Sequence, residues 1–261
     1  MTLALAVDLG GTKVEAALVD AQGTIVPGSR HREATGPAAA RDAEVARAAI
    51  DAVVRRALAD APAEVVAAGI GAAGPIDVRA GSTSPINLPA VRDFPIARVV
   101  AEASGLEHVR LGLDGSCIAL AERWLGAARG VGNAIVFVVS TGIGGGVIVD
   151  GRLLGGASGN AGHLGQLVIE PFDDDPAPAT VERIASGPNI VRWARDRGWA
   201  GSTGEELAAA YAAGSEIAVA AVHRSARTVG IGVANAATLL DLELAVIGGG
   251  FAAVAEDYAE L

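Results

Sequence analysis

Asp8-Leu9-Gly10-Gly11-Thr12-Lys13 is the stretch of sequence from which the fold can be predicted. It follows an apolar strand-like run at residues 3–7 and precedes a second such run that ends at Asp20. Glycine supplies the positive φ of a tight turn and leaves backbone amides uncovered. The pattern therefore predicts a β-hairpin whose turn can approach a phosphate group closely.

The second half of the chain repeats this plan. An apolar run at residues 134–139 leads into the glycine turn 140–146, and another strand ends at Asp150. A third glycine cluster, residues 248–250, also follows an apolar run. Two hairpins of one design predict a duplicated architecture in which each half offers one phosphate-facing turn.

The rest of the chain alternates between helical periodicity and short apolar runs. The predicted elements are a helix at 38–59, a strand at 65–70, a long loop at 73–93, a helix at 96–104, a strand at 109–113, a helix at 114–128, a helix opened by a capping box at 202–205, a helix at 215–239 and a strand at 242–247. Strands that alternate with helices are typical of an α/β fold.

Composition excludes several classes of protein. No apolar run approaches the roughly 20 residues that span a bilayer, and no basic segment precedes the first strand, so neither a membrane partner nor a secretory signal is expected. The net charge of −10 argues against a nucleic-acid partner, which would require a basic face. A single cysteine, Cys117, fits a reducing compartment and indicates a cytoplasmic protein.

The stretch Gly69-Ile70-Gly71-Ala72-Ala73-Gly74 matches the dinucleotide fingerprint G-x-G-x-x-G. That fingerprint must open a helix, whereas here Pro75 and a proline-rich loop follow. The ribose-binding acidic residue expected about 20 positions later is also missing. A dinucleotide-dependent dehydrogenase is therefore not favoured, and the absence of a Walker A loop excludes the P-loop class.

The first glycine turn has the groups that a nucleotide site needs. The Asp8 carboxylate can hold water of a bound Mg²⁺, while the amides of Gly10 and Gly11 and the Thr12 hydroxyl face a polyphosphate. Lys13, the chain's only lysine, adds a point charge. One such turn could be an ordinary polar hairpin, but three glycine clusters in one chain favour phosphate binding.

These features together resemble the ROK family (repressors, open reading frames, kinases) of bacterial sugar kinases, in the actin-like ATPase superfamily. The matching segments follow the family's order along nearly the whole chain: 8–13, 69–77, 87–89, 114–122, 140–146, 150–151, 161–162, 186–187 and 248–250. The resemblance implies a two-domain α/β, ribonuclease H-like fold, with domains at 1–113 and 114–261 and a cleft for ATP and sugar between them. It also implies transfer of the γ-phosphate of ATP to the 6-hydroxyl of a hexose or amino sugar, Mg²⁺ as cofactor, and a homodimer.

The resemblance also assigns roles to individual residues. Asp114 stands at the position of the catalytic aspartate, where a carboxylate can accept the proton of the attacking hydroxyl. The sugar-contacting positions are Gly74 through its backbone, Asn87, His163, Gln166 and Glu182. The second phosphate turn corresponds to Thr141, Gly142 and Gly144, and the adenosine side to Gly248 and Gly249.

Several positions depart from the family pattern. Leu113 and Ser116 replace asparagines on either side of Asp114, and His163 and Gln166 replace the glutamate and the zinc-binding histidine of the sugar segment. The cysteine-rich zinc loop that should follow is replaced by residues 171–178, whose acidic stretch 173–175 is expected to be a solvated loop. A structural zinc site needs four Cys or His ligands, so no structural zinc is expected.

Three functional hypotheses follow. The first is a kinase with altered sugar preference, because Asp8, Asp114 and three glycine clusters are intact. The second is a sugar- or nucleotide-binding protein with impaired catalysis, because of the changes at 113, 116, 163 and 166. The third, a repressor, is disfavoured because a helix-turn-helix would have to precede the first strand and the net charge is acidic.

Overall fold

The computed structural model describes residues 2–170 and 179–261. The acidic loop expected at 173–175 lies outside these residues. The chain forms two compact units, one made of Met1–Cys117 with Gly155–Ala161 and the other of Ile118–Leu154 with Gly162–Leu261. In the described part of the chain, no helix combines the length and the hydropathy needed to cross a membrane.

The first unit is built on a five-stranded sheet. Its strands are β1 (Thr2–Leu9), β2 (Lys13–Asp20), β3 (His31–Ala34), β4 (Glu64–Ala72) and β7 (Val109–Leu113), in the order β3-β2-β1-β4-β7. The pairs β1–β2 and β2–β3 are antiparallel, whereas β4 runs parallel to both β1 and β7. The other elements are the short pair β5 (Ile76–Asp77) and β6 (Ser82–Thr83) and the helices α1 (Gly36–Ala39), α2 (Ala43–Ala59) and α3 (Ile96–Ser104).

One face of this sheet forms the core of the first unit. Along β1 the side chains of Leu3, Leu5, Val7 and Leu9 are buried, and they share a hydrophobic cluster with apolar residues of α2 and α3. Alternate side chains of a strand point to opposite faces. The side chain of Asp8 therefore lies on the other face, where it reaches solvent.

The second unit is built on a four-stranded sheet. Its strands are β8 (Ala134–Val139), β9 (Ile143–Val149), β10 (Arg152–Leu153) and β13 (Leu244–Gly248), in the order β10-β9-β8-β13. A second pair is formed by β11 (Val168–Glu170) and β12 (Ala179–Thr180). The helices are α4 (Asp114–Trp124), which begins in the first unit, α5 (Val181–Ala185), α6 (Gly187–Arg195), α7 (Gly204–Ala212) and α8 (Glu216–Leu240).

The two sheets confirm the predicted duplication. In the first unit β1 lies between its hairpin partner β2 and the parallel strand β4, and β3 flanks β2. In the second unit β8 lies between its hairpin partner β9 and the parallel strand β13, and β10 flanks β9. The order β3-β2-β1-β4 thus has the same design as β10-β9-β8-β13, with one glycine turn in each half.

Three predicted helix boundaries were wrong. The segment 38–59 forms two helices, because the Asp42 carboxylate caps the second one by accepting a hydrogen bond from the Glu44 amide at 2.9 Å. The helix predicted to reach residue 128 ends at Trp124. The capping box begins at Thr203, whose hydroxyl accepts a hydrogen bond from the amide of Glu206 at 3.1 Å.

A buried pair of hydroxyls links α8 to the segment that follows β13. Ser225 in α8 is completely buried and donates a hydrogen bond to the Ala185 carbonyl at 2.7 Å. Its oxygen lies 2.6 Å from the Tyr258 hydroxyl, which therefore acts as the donor in that contact. Burial raises the pKa of Tyr258 to about 12.

We expect Ser225→Ala to lower the free energy of unfolding by about 1–3 kcal/mol, because it leaves two buried polar groups without a partner. Tyr258→Phe removes only one of these contacts and should cost less. In the double variant the loss should be smaller than the sum of the two single losses, because the residues share a hydrogen bond. Urea unfolding of the four proteins measures this, and additive losses would contradict the shared network.

Candidate functional site

Asp8 and Asp114 lie at the same edge of the first sheet. Asp8 is the second-last residue of β1, and Asp114 directly follows β7. Strand β4 lies between β1 and β7. Gly71 of β4 is the cross-strand neighbour of Asp8, and a Cβ atom on Gly71 would lie 3.8 Å from the Cα atom of Asp114. Because the carboxyl ends of parallel strands meet at one edge of a sheet, the two aspartates are brought together there. Both side chains reach solvent.

Negative charges predominate around Asp8. Partial burial raises the pKa of the Asp8 carboxyl, and the nearby charges of Asp114 and Glu15 raise it further. Lys13 acts in the opposite direction but does not cancel these effects. A bound cation would relieve the repulsion, so this corner of the sheet suits a divalent metal ion held through its water shell.

Glu15 is the cross-strand partner of Asp8, but its surroundings are basic. Its carboxylate accepts hydrogen bonds from Arg30 and from Arg32, the latter at 2.8 Å, and lies 3.9 Å from the Lys13 ammonium. Burial acts to raise the pKa of Glu15, and the two arginines outweigh it and lower that pKa. Glu15 therefore stays ionised, and its charge adds to the repulsion on Asp8.

The first glycine turn is packed against the predicted sugar-contacting loop. The Gly10 amide donates to the Lys13 carbonyl at 3.0 Å and closes the turn. A Cβ atom on Gly11 would overlap the side-chain amide of Asn87, so only glycine allows this close approach. The predicted phosphate turn and the predicted sugar residue Asn87 are therefore in direct contact.

Gly74 is positioned by its neighbours at the end of β1. The Ala73 amide donates to the Leu9 carbonyl at 2.9 Å, and the Ala73 carbonyl accepts a hydrogen bond from the Thr83 hydroxyl at 2.7 Å. The Gly74–Pro75 peptide bond is cis. The backbone of Gly74 thus lies next to the strand end that bears Asp8.

Glu182 connects two of the predicted segments of the second unit. Its carboxylate accepts a hydrogen bond from the Ile143 amide at 2.7 Å and one from the Gln166 side chain at 3.3 Å. A Cβ atom on Gly142 would lie only 2.7 Å from the same carboxylate, so a larger residue there would displace the Glu182 side chain. The segment that carries His163 is closed by a bond from the Gln166 amide to the His163 carbonyl at 2.9 Å. Glu182, Gln166 and the second glycine turn therefore form one cluster.

The second and third glycine clusters lie side by side. Gly144 and Gly248 are the two cross-strand neighbours of Val138. A Cβ atom on Gly249 would press against the backbone of Val139, and the Phe251 amide donates to the Val139 carbonyl at 2.9 Å. The predicted adenosine side is therefore built directly onto the strand that leads into the second turn.

A cavity of about 760 Å³ opens beside these two clusters. The residues that line it come from the second turn, from α6 and α7, and from the chain after β13; among them are Ser140, Thr141, Gly187, Arg192, Arg195, Gly204, Glu205, Gly250 and Phe251. Sequence reasoning missed Arg192, Arg195 and Glu205. Two signals in the sequence could have indicated them. Arg192 and Arg195 follow the family-like Ser186-Gly187 pair within a few residues, and Glu205 lies in the first turn of the capped helix α7.

The cysteine next to the site is chemically quiet. Cys117 is half-buried, and its sulfur lies close to the backbone of Gly71 and Gly112, where larger residues would crowd it. Burial raises the pKa of the Cys117 thiol to about 11, and the charges of Asp114 and Asp8 add to the effect. The thiol is therefore protonated at neutral pH, which fits the role of an apolar filler.

Within residues 2–170 and 179–261, no group of three or more His, Cys, Asp or Glu side chains is placed to ligate a metal ion. The segment 171–178, which replaces the family's zinc loop, lies outside this part of the chain. The expectation of no structural zinc therefore remains a prediction. Asp8 alone, through the water shell of the ion, remains the proposed contact for Mg²⁺.

A duplicated sheet with one glycine turn in each half and an aspartate at the end of a neighbouring strand defines a class, the actin-like phosphotransferases. The sequence profile of the ROK family matches residues 4–260. The chain therefore belongs to the ROK family.

Three relatives illustrate the match. The N-acetylmannosamine kinase of Escherichia coli strain SMS-3-5 / SECEC is 33% identical over 267 residues, which cover 97% of this chain and 87% of that protein. A ROK hexokinase from Thermus thermophilus has a TM-score of 0.82 and 35% identity, and the match covers 99% of this chain and 85% of that one. A ROK family glucokinase from Streptomyces griseus, solved in complex with glucose and AMPPNP, has a TM-score of 0.83 and 30% identity, with 99% and 86% covered.

These matches confirm the predicted family, the predicted two-domain actin-like α/β fold and the predicted class of enzyme, a carbohydrate kinase. The roles of individual residues remain predictions.

We expect Asp8→Asn to stabilise the ligand-free protein at pH 7. An acid whose pKa is raised in the folded state opposes folding once it is ionised. That penalty is absent below the ordinary value of 3.8 and grows as the pH rises through the higher folded value. Thermal unfolding at several pH values should show a higher Tm for the variant at pH 7 and no difference near or below pH 3.8.

Glu15→Gln is the matched control for this experiment. Because the pKa of Glu15 is lowered by its arginines, its charge stabilises the fold above its ordinary value of 4.5, and that stability is lost as the pH falls. The control should therefore have a lower Tm at pH 7. Equal destabilisation by both substitutions would contradict the proposed charge imbalance at Asp8.

Proposed function

We propose that this chain is an ATP-dependent kinase that transfers the γ-phosphate to the 6-hydroxyl of an N-acetylated amino hexose such as N-acetylmannosamine. The observation that carries the proposal is the pair of aspartates at one sheet edge, Asp8 beside the phosphate turn and Asp114 at the start of α4. The substrate class is supported by relatives named N-acetylmannosamine kinase, and ATP by the AMPPNP complex of the related glucokinase.

In the proposed reaction Asp114 is the general base. Its carboxylate reaches solvent and accepts a short hydrogen bond from the Gly115 amide at 2.6 Å, which orients it at the helix start. It would accept the proton of the sugar's 6-hydroxyl as the oxygen attacks the γ-phosphorus in line with the leaving ADP oxygen. Asn87 and the backbone of Gly74 would hold the sugar in position for this attack.

The nucleotide is proposed to use the glycine turns and the adjoining cavity. The amides of Gly10 and Gly11 with the Thr12 hydroxyl would hold phosphate oxygens, and Thr141 and Gly142 would do so from the second turn. The cavity lined by Arg192, Arg195 and Phe251 has the size of a small-molecule site and would receive the nucleoside. Asp8 would hold Mg²⁺ through the water shell of the ion, and the ion would neutralise charge on the phosphoryl oxygens.

The second candidate function is a binding protein with impaired catalysis. It is motivated by Leu113 and Ser116, which stand where the family has asparagines. Both are 2% exposed: Leu113 belongs to the hydrophobic core, and the Ser116 hydroxyl forms no hydrogen bond within the described residues. Neither change blocks the Asp114 carboxylate, which still reaches solvent, so the kinase is favoured.

We further propose that the enzyme acts in the cytoplasm as a homodimer and has no nucleic-acid or membrane partner. The single cysteine and the net charge of −10 support the compartment and the absence of a nucleic-acid partner. The resemblance to the ROK kinases supports the dimer.

We expect Asp114→Asn to lower kcat by about 10²–10⁴-fold, the usual contribution of a general base. The shape of the side chain is kept, so sugar binding should change little, and Tm should rise slightly because the repulsion on Asp8 is removed. ADP release with Mg²⁺, ATP and N-acetylmannosamine measures turnover, and calorimetry measures sugar binding. Undiminished turnover in the Asp114→Asn variant would remove this carboxylate from the mechanism.

Sugar preference provides the next prediction. A neutral histidine at 163 donates one hydrogen bond and accepts one, whereas a glutamate only accepts, so the polarity of the segment that reads C1 and C2 is altered. We expect glucose to be a poor substrate and a C2-substituted amino sugar to be preferred, by up to about 10⁴-fold in kcat/KM. A panel of glucose, mannose, N-acetylglucosamine and N-acetylmannosamine measures this.

The double variant His163→Glu with Gln166→His should raise kcat/KM for glucose, because it restores the family's polarity. Recovery should be incomplete, since Leu113 cannot supply the amide of the missing asparagine. Equal turnover of all four sugars by the unmodified enzyme would refute the specificity argument. An enzyme inert toward every sugar, before and after the double change, would favour the binding-protein function.

A further inference from the structure

One short segment of the chain belongs to a different unit from the residues on either side of it in the sequence. Residues Gly155–Ala161 are part of the first unit, whereas Leu154 before them and Gly162 after them belong to the second. The segment continues directly into His163 and Gln166, the proposed sugar-reading residues. The first unit therefore holds the residues that immediately precede that stretch in the chain.

The attachment is made by the side chain of Asn160. Its Oδ1 atom accepts a hydrogen bond from the Ile76 amide at 2.8 Å, and its Nδ2 atom donates one to the Ile76 carbonyl at 2.6 Å. Nδ2 also lies 3.0 Å from the Ser158 hydroxyl. A primary amide carries one acceptor and two donors, so it can reproduce the paired bonds that a neighbouring strand would form.

The backbone of β5 needs such a partner. β5 pairs with β6 on one side through Ile76 and Thr83, and the Ile76 amide and carbonyl that reach Asn160 face the other side. Ile76 is buried, and backbone groups that are shielded from water require hydrogen-bond partners within the protein. The Ser158 carbonyl accepts a longer bond from the Val78 amide at 3.4 Å, so the segment lies along the edge of β5.

These contacts join two residues that lie, along the chain, close to stretches that the proposed function assigns to the sugar. Ile76 lies two residues after Gly74, and Asn160 lies three residues before His163, although Ile76 and Asn160 are 84 residues apart along the chain. We propose that Asn160 is a positioning residue for the sugar. It ties the start of the segment 161–166 to the loop that carries Gly74, and this inference rests on the proposed function.

The test compares Asn160→Ala with a matched control, Asn133→Ala. Asn133 also accepts a backbone hydrogen bond with its side chain, from the Asp150 amide at 2.9 Å, but it has no part in the proposed site. Displacement of a substrate-holding segment by about 1 Å can cost about 10²-fold in rate. Asn160→Ala should raise the KM for N-acetylmannosamine about tenfold or more. The KM for ATP should stay close to that of the unmodified enzyme.

The control variant should lower Tm but leave both KM values unchanged. Asn160→Gln provides the conservative variant, because it keeps both the acceptor and the donor of a primary amide on a side chain that is one methylene longer. It should show a smaller rise in the sugar KM than Asn160→Ala, and it keeps the test valid if the alanine variant does not fold.

The outcomes separate this inference from the proposed function. If the unmodified enzyme turns over sugar and Asn160→Ala and Asn133→Ala leave the sugar KM equally unchanged, the inference is wrong and the kinase stands. If the unmodified protein binds N-acetylmannosamine without turnover, the kinase is wrong, and the sugar Kd from calorimetry replaces KM in the comparison. If it binds no sugar at all, both fail.

Discussion

The arrangement of the first unit depends on a single constraint: two carboxylates that repel each other are held at the same edge of one sheet. Asp8 lies one residue before the end of β1 and Asp114 follows β7, and the parallel direction of β1, β4 and β7 brings the two strand ends to one side. The pKa of Asp8 is raised by burial and by this neighbour. The buried face of the sheet supplies apolar contacts that offset the repulsion between the two carboxylates. A bound cation would relieve that repulsion. Stability given up for function in this way is common at functional sites.

A second theme is that each glycine turn is braced by a polar side chain from another part of its own unit. Asn87 occupies the space that a Cβ atom on Gly11 would need, and Glu182 does the same at Gly142. The glycines therefore serve two purposes: they uncover amides for a ligand, and they admit the side chain that fixes the turn. In each unit the residue that braces the glycine turn is also a proposed sugar contact. The same side chain would therefore contribute to the phosphate site and to the sugar site.

Much of this could be predicted from the sequence, because the signals are local. Alternation of apolar residues along residues 3–9 and the glycines at 10–11 predict a hairpin, and the repeat at 134–150 predicts the second one. The helix at 96–104 and the strand at 109–113 also lie where periodicity predicts them. Helix ends were less predictable, since a cap such as Asp42 depends on whether its side chain meets a free amide.

The sequence by itself determined the family, the duplicated hairpins and the candidate residues, because strand periodicity and glycine turns are properties of neighbouring residues. Only the tertiary structure decided which of these residues meet. The contacts between Gln166 and Glu182, between Gly11 and Asn87, and between Asn160 and Ile76 join positions far apart in the chain. Such contacts depend on how strands and loops pack after folding, and a single sequence carries no local signal for them.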